Sequence, residues 1–178
     1  SSGISRMPEI KAQVGATATE LAFALVCTGI GPVLAMPFAG RLAARFGTAR
    51  PLTLFATISM TATAVIPFTS SVPQLALVMF CNGLGVGTWD VTMNIQGSVV
   101  ERARGQVLMP LWHGLFSVGA VVGALIGAGT AALEIPLGWH LPVISAVCWA
   151  AVVTACTAFL PNPVTDTVVA TSASSATS

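Results

Sequence analysis

Charge is what this sequence has least of. Asp, Glu, Lys and Arg make up 7% of its 178 residues, against roughly a quarter in an ordinary soluble domain. A chain with so few charges cannot cover a soluble surface. Its net charge of +1 rests on seven scattered Lys and Arg, which form neither a basic patch for nucleic acid nor a polybasic anchor for a membrane surface. Nucleic acid is therefore excluded as a partner. The four cysteines, Cys27, Cys81, Cys148 and Cys156, lie inside apolar runs without C-x-x-C spacing, so they read as small hydrophobes, not as zinc ligands or a disulfide framework. Catalytic signatures are missing too. There is no H-E-x-x-H and no G-x-S-x-G, and the one acid inside the apolar runs is half of what an intramembrane aspartyl enzyme needs. His113 and His140 fall at opposite ends of the spans read below, too far apart in depth to share a haem. The chain reads as a non-enzyme without cofactor or metal.

What remains is apolar. Hydrophobic residues are 54% of the chain and the mean hydropathy is +0.86. Charge-free runs of about 20 residues match the hydrocarbon thickness of a bilayer, and turn-forming or charged clusters separate them at 69–73, 101–105 and 134–140. Five spans result, at about 21–42, 51–69, 74–100, 107–133 and 141–160. The fold class is all-α, a polytopic transmembrane helical bundle in a cell membrane, most naturally a bacterial inner membrane. Residues 1–20 read as an extracytoplasmic loop, and 161–178, rich in Ser, Thr and Ala after two prolines, as a disordered cytoplasmic linker or tail. Arg41, Arg45, Arg50, Arg102 and Arg104 share one side and Arg6 and Lys11 the other, which places the first group in the cytoplasm. An outward N-terminus without a signal peptide leads to the expectation of one further helix upstream, completing a six-span half.

The stretch GLGVGTWDVTMNIQ, residues 83–96, sets polar groups in an apolar helix. Gly83, Gly87, Asp90, Asn94 and Glu101 recur at helical spacing and form one small, polar face. Asp90 lies about 15 Å from the cytoplasmic boundary, near mid-membrane. A carboxylate there is costly against lipid, so it should face a cavity or a helix neighbour, at the depth where secondary transporters bind solutes and coupling ions. Asp90 is the candidate proton-coupling acid. His113, about 9 Å inside the same boundary on the next helix, either shares that proton or caps a helix start. Trp112 beside it either stacks on solute or belongs to the interfacial belt, and Trp139 and His140 read as belt and loop. Asn94 and Gln96 are candidate solute ligands. Gly119, Gly123 and Gly127 repeat every four residues as a stripe for close helix approach, and Pro32 and Pro37, with Gly29 and Gly31, could bend the first span.

The first cytoplasmic loop, GRLAARFGTAR at residues 40–50, is similar to the signature loop G-x-L-a-D-R-x-G-R-R between the second and third helices of the major facilitator superfamily. Gly40, Leu42, Ala43, Arg45 and Gly47 are in register, which marks Gly40, Arg45, Gly47 and Arg50 as the gating loop. Ala44 stands where the family has an Asp that makes charge contacts at a neighbouring helix end, and Thr48 and Ala49 replace basic residues. GLGVGTWDVTMN and the helix after ERARG resemble the fourth and fifth helices of the fucose permease branch, in which an acid precedes an Asn by four positions, as Asp90 precedes Asn94. The resemblance implies helices two to six of a twelve-helix transporter, with the first helix and the C-terminal half of the same protein as missing partners. It also implies symport of a sugar or related small polar solute with protons, Asn94 meeting solute hydroxyls. The competing reading is a helix-packing module, or an inactive truncated transporter, that carries nothing.

Overall fold

In the computed structural model residues 2–159 are described. Residues 3–13 form a 3-10 turn, Ile4–Arg6, followed by the short helix α1, Met7–Gln13. Five long helices follow: α2 Ala18–Phe46, α3 Ala49–Val65, α4 Val72–Arg104, α5 Met109–Ala132 and α6 Leu137–Cys156. All five, with α3 extended by the 3-10 turn Ile66–Phe68, are long and apolar enough to cross a membrane. Each start and stop has a local cause. Thr17 and Glu20 close a capping box at the start of α2, while Gly47 and Gly105, both with positive φ, terminate α2 and α4. The Glu101 carboxylate accepts from the backbone N–H groups of Leu108 (2.6 Å) and Met109 (2.7 Å), so the end of α4 satisfies orphan donors at the start of α5.

Two expectations are corrected here. The signature residues Gly40 to Phe46 are not loop but the last two turns of α2, and only Gly47 and Thr48 separate α2 from α3. The segment before residue 20 is not an open loop either. Ile10 is 1% exposed and joins Leu75, Ile66, Leu137 and Leu141 in a buried cluster. Gln13 Nε2 donates to the carbonyl of Thr69 at 2.7 Å, and Arg6 Nη2 to that of Ile135 at 2.7 Å. The segment thus ties together the ends of α3, α4 and α6 remote from Arg45, Arg50, Arg102 and Arg104, supplying backbone acceptors there with donors that water would otherwise provide. The expected linker at 161–178 lies outside the described residues.

Helix α4 is the axis of the bundle. Its contact with α2 is a seam of small residues: Ala24, Gly31, Ala35, Ala39 and Ala43 of α2 are all buried, and a Cβ on Gly83 or Gly87 would collide with the Thr28 carbonyl or with Pro32. Lipid tails are as apolar as leucine, so burial of apolar area drives little association within a bilayer, and close backbone approach takes its place. Pro32 sits in this close approach, against Gly87, inside an uninterrupted α2. Against α3, Gly85 approaches the Phe55 carbonyl and Ser59. There Asn82 Nδ2 donates to Ser59 O, Ser59 Oγ and Thr63 Oγ1, the last at 2.8 Å. Trp149 Nε1 of α6 donates to Thr57 Oγ1 of α3 at 2.8 Å. Helix α5 is held near its two ends, and over the rest of its length it is mostly exposed.

Candidate functional site

The polar face of α4 is covered in two places and open between them. Gly83 and Gly87 lie against Thr28 and Pro32 of α2. Three turns further along, a Cβ on Gly97 would stand 2.8 Å from Trp112 and 3.1 Å from Met109 of α5, and Glu101 reaches the start of that helix. Asp90 and Asn94 fall in the gap between these crossings. Asp90 is exposed and Asn94 half-buried. Asn94 Nδ2 donates to the backbone carbonyl of Asp90 at 2.8 Å, so the amide is turned back on its own helix and leaves the carboxylate free of that partner. Thr88 and Thr92, buried on the α3 side, bond preceding carbonyls in the same way. These self-satisfied side chains keep the helix backbone polar groups paired inside an apolar surround.

Asp90 is the nineteenth of the 33 residues of α4, and with a rise of 1.5 Å per residue it lies about 21 Å from Arg104 along the axis. The gap is therefore near the middle of the longest helix, and seven residues, two turns, separate Asp90 from the Gly97 contact with α5 on the same stripe. The chemistry available is that of one carboxylate and one amide on an open helix face. Among the described residues, no cluster of His, Cys, Asp and Glu could hold a metal ion.

The other candidates divide. Gln96 is not on this face: it is 4% exposed and sits about 120° round the helix from Asp90, where Thr48 Oγ1 meets its Oε1 at 2.5 Å. It joins α4 to the α2–α3 turn. Trp112 is half-buried and covers Gly97, which is a packing contact. His113, one residue on, is exposed; its side chain is not brought to Asp90 by any described hydrogen bond, and its carbonyl accepts from Ser117 Oγ at 3.0 Å. In the glycine stripe of α5, Gly127 meets a close neighbour, the Ser2–Ser5 segment and not a helix; a Cβ on Gly119 would meet nothing within 4 Å, and Gly123 is half-buried. Arg45 and Arg50 are exposed at the same end as Arg102 and Arg104, with the Arg45 guanidinium 5.3 Å from the Phe46 ring centroid. Gly40 has open space around it, whereas Gly47 holds φ at 76°.

Sequence reasoning missed two features. The buried Thr48–Gln96 contact joins residues 48 positions apart, and no local pattern announces it. His140, read as loop, is 6% exposed in the first turn of α6; the buried Leu137 and Leu141 on either side at helical spacing were the available signal.

Comparison with known proteins places this geometry in a family. The profile of the Major Facilitator Superfamily matches residues 4–177. An uncharacterised MFS-type transporter of Yersinia pestis is 36% identical over 118 residues, 66% of this chain and 31% of its own length. An uncharacterised transporter of Sinorhizobium fredii is 29% identical over 139 residues, 78% of this chain and 37% of its own. A multidrug resistance protein of Shewanella oneidensis is 28% identical over 123 residues, covering 68% and 31%. The chain thus spans about a third of the length of these relatives. The five membrane-length helices and the all-helical fold of its described residues, with a match over nearly the whole sequence, make it a multi-pass membrane protein that belongs to the Major Facilitator Superfamily.

Proposed function

We propose that this chain is part of a secondary transporter that moves a small polar solute, a sugar or a related metabolite, together with protons, and that Asp90 carries the proton. The observation that supports this reading most directly is the uncovered gap on α4: an ionisable group at mid-helix, between the α2 and α5 crossings, with its neighbour Asn94 hydrogen-bonded away from it. Intramembrane carboxylates are costly enough that they are kept where a solute or ion path uses them, and transporters place such groups near the midplane, at the interface between repeats. Asn94 and the Asp90 carboxylate are suited to solute hydroxyls, which both accept and donate hydrogen bonds. The proposed orientation puts the arginine-bearing ends of α2, α3 and α4 in the cytoplasm, and the inner membrane of a bacterium is the proposed location, in keeping with the bacterial relatives. Alternating access in such proteins rocks one bundle against another around a fixed site; the proposed partners of these five helices are a further N-terminal helix and a second half of the same protein.

The test is uptake in membranes carrying the complete reading frame. Asp90→Asn keeps size and hydrogen bonding while removing the titrating group. It should abolish uptake driven by a proton gradient while leaving the amount of protein in the membrane unchanged. Uptake that still follows the gradient in this variant would sink the coupling role.

A further inference from the structure

Helices α3 and α6 enclose a groove that the transport reading does not use. It opens at the ends of the two helices remote from Arg50, where Phe68 and Trp139, both exposed, flank a cavity of about 810 Å³. Ala64, Pro142 and Ala146 line both this cavity and a second, of about 260 Å³, that carries the groove further along the two helices. No described residue of α2, α4 or α5 lines either part, so the groove is separate from Asp90. Its inner part carries polar groups: Thr57, Thr61, Ser145 and Trp149 line it. Two of these are satisfied. Trp149 Nε1 donates to Thr57 Oγ1 at 2.8 Å, and Thr57 Oγ1 donates to the Thr53 carbonyl at 2.7 Å. The other two are not. Ser145 is 4% exposed, and its Oγ is buried with no described hydrogen-bond partner; Thr61 is exposed, and its hydroxyl has no described hydrogen bond. Ser145 lies eight residues after Leu137, the first residue of α6, and so about 12 Å along the helix, inside the hydrocarbon and away from water. A buried hydroxyl without a partner is costly there. Among the described residues, none that carries a charge lines the groove, so a charged occupant would meet no counter-charge.

We propose that this groove is a second binding site, for an uncharged, lipid-soluble molecule with a hydroxyl at one end. The hydroxyl sits between Ser145 and Thr61, donating to one oxygen and accepting from the other, as only a group that does both can. The apolar body runs along Ala64, Pro142 and Ala146 toward Phe68 and Trp139. The outer cavity falls within the roughly 300–1,000 Å³ usual for small-molecule sites. A phospholipid acyl chain matches the outer part alone: its methylenes offer nothing to Ser145, and its ester oxygens stay at the headgroup boundary.

Photolabelling of the complete reading frame in lipid nanodiscs tests this. The probes are an octanol that carries a diazirine and the diazirine alkane of the same length, with labelled peptides mapped by mass spectrometry. The alkanol should concentrate on residues 57–68 and 136–149, which line the groove, at several times its density on the exposed helix α5, and unlabelled octan-1-ol should compete it away. The alkane, which has no hydroxyl, should label the two regions alike. Ser145→Ala should lower the alkanol label in the groove about two- to tenfold, the worth of one hydrogen bond between neutral groups, and leave the alkane label as it was. Ala146→Leu, which fills space common to both parts of the groove, should remove the alkanol label. The same distribution for both probes on the unaltered protein would make the groove a furrow filled by lipid chains and overturn the proposal, as would an alkanol label unchanged in Ser145→Ala. The comparison of the two probes needs no variant, so it decides the matter even where a variant fails to fold.

Discussion

Gly87→Ala is expected to loosen the α2–α4 seam, and the structure sets the scale. The added Cβ would lie 2.7 Å from Pro32 Cβ, and nearer still to Pro32 Cα. Carbon atoms in ordinary contact stand about 3.5–4.0 Å apart, so the two helices must separate locally by roughly 1 Å or the α2 backbone must shift. Overpacking of this kind costs about 1–3 kcal/mol. Alanine also favours the helix over glycine by about 1 kcal/mol, which would mask part of the loss. Gly119→Ala removes that ambiguity, because its Cβ meets nothing within 4 Å and the variant carries the propensity gain alone. The difference between the two variants isolates the collision. At roughly 2–4 °C per kcal/mol for a chain of this size, Gly87→Ala should unfold about 2–12 °C below Gly119→Ala in one detergent. Equal melting temperatures would show that α2 and α4 do not meet backbone to backbone at this point, and the small-residue account of the seam would fail.

Removing the Asn82 amide with Asn82→Leu should cost about 1 kcal/mol in thermal unfolding, and a double-mutant cycle with Thr63→Val should show coupling of about 0.6 kcal/mol, the average for hydrogen bonds between membrane helices; additive effects would deny the bond. Glu101→Ala should strip two donors at the start of α5 of their acceptor, costing about 1 kcal/mol as for other N-terminal caps and speeding amide exchange at Leu108 and Met109, whereas Arg102→Ala, on an exposed position, should leave both unchanged. Gly47→Ala should destabilise by about 1–3 kcal/mol, since φ 76° with ψ 176° is a region that residues with a Cβ rarely enter; Gly40→Ala, in open space within α2, is the control.

How much of this was legible in the sequence follows from the range of each interaction. The five long helices could be read from runs without charge, because in a bilayer an unpaired charge or an unpaired backbone group costs more than any local preference. The ends of α2 and α4 could not be placed from hydropathy. Gly40 to Phe46 and Glu101 to Arg104 carry the charge that marks a loop, yet the helix continues through them until a glycine with positive φ stops it. The segment 2–13 read as loop for the opposite reason: it is too short and too polar to span, and its order comes from Ile10, Gln13 and Arg6 meeting residues more than 50 positions away. In the site, the spacing of Asp90 and Asn94 put both on one face, as the helix shows. Gln96, two residues on, groups with them by sequence although a helix turns it about 120° from Asp90, and its partner Thr48 lies in the α2–α3 turn.

The central claim is that Asp90 faces a watered path and not lipid when the whole transporter is assembled. Thiol accessibility tests it most directly. With Cys27, Cys81, Cys148 and Cys156 replaced, Asp90→Cys and the α5 position Leu125→Cys, both exposed in the structure, would be treated in cells with a membrane-impermeant thiol reagent, which reacts only where water reaches the thiolate. The account predicts labelling at position 90 that a transported solute slows, and no labelling at position 125. Silence at both positions would place Asp90 against lipid or a dry helix neighbour and contradict the proposal that it carries protons.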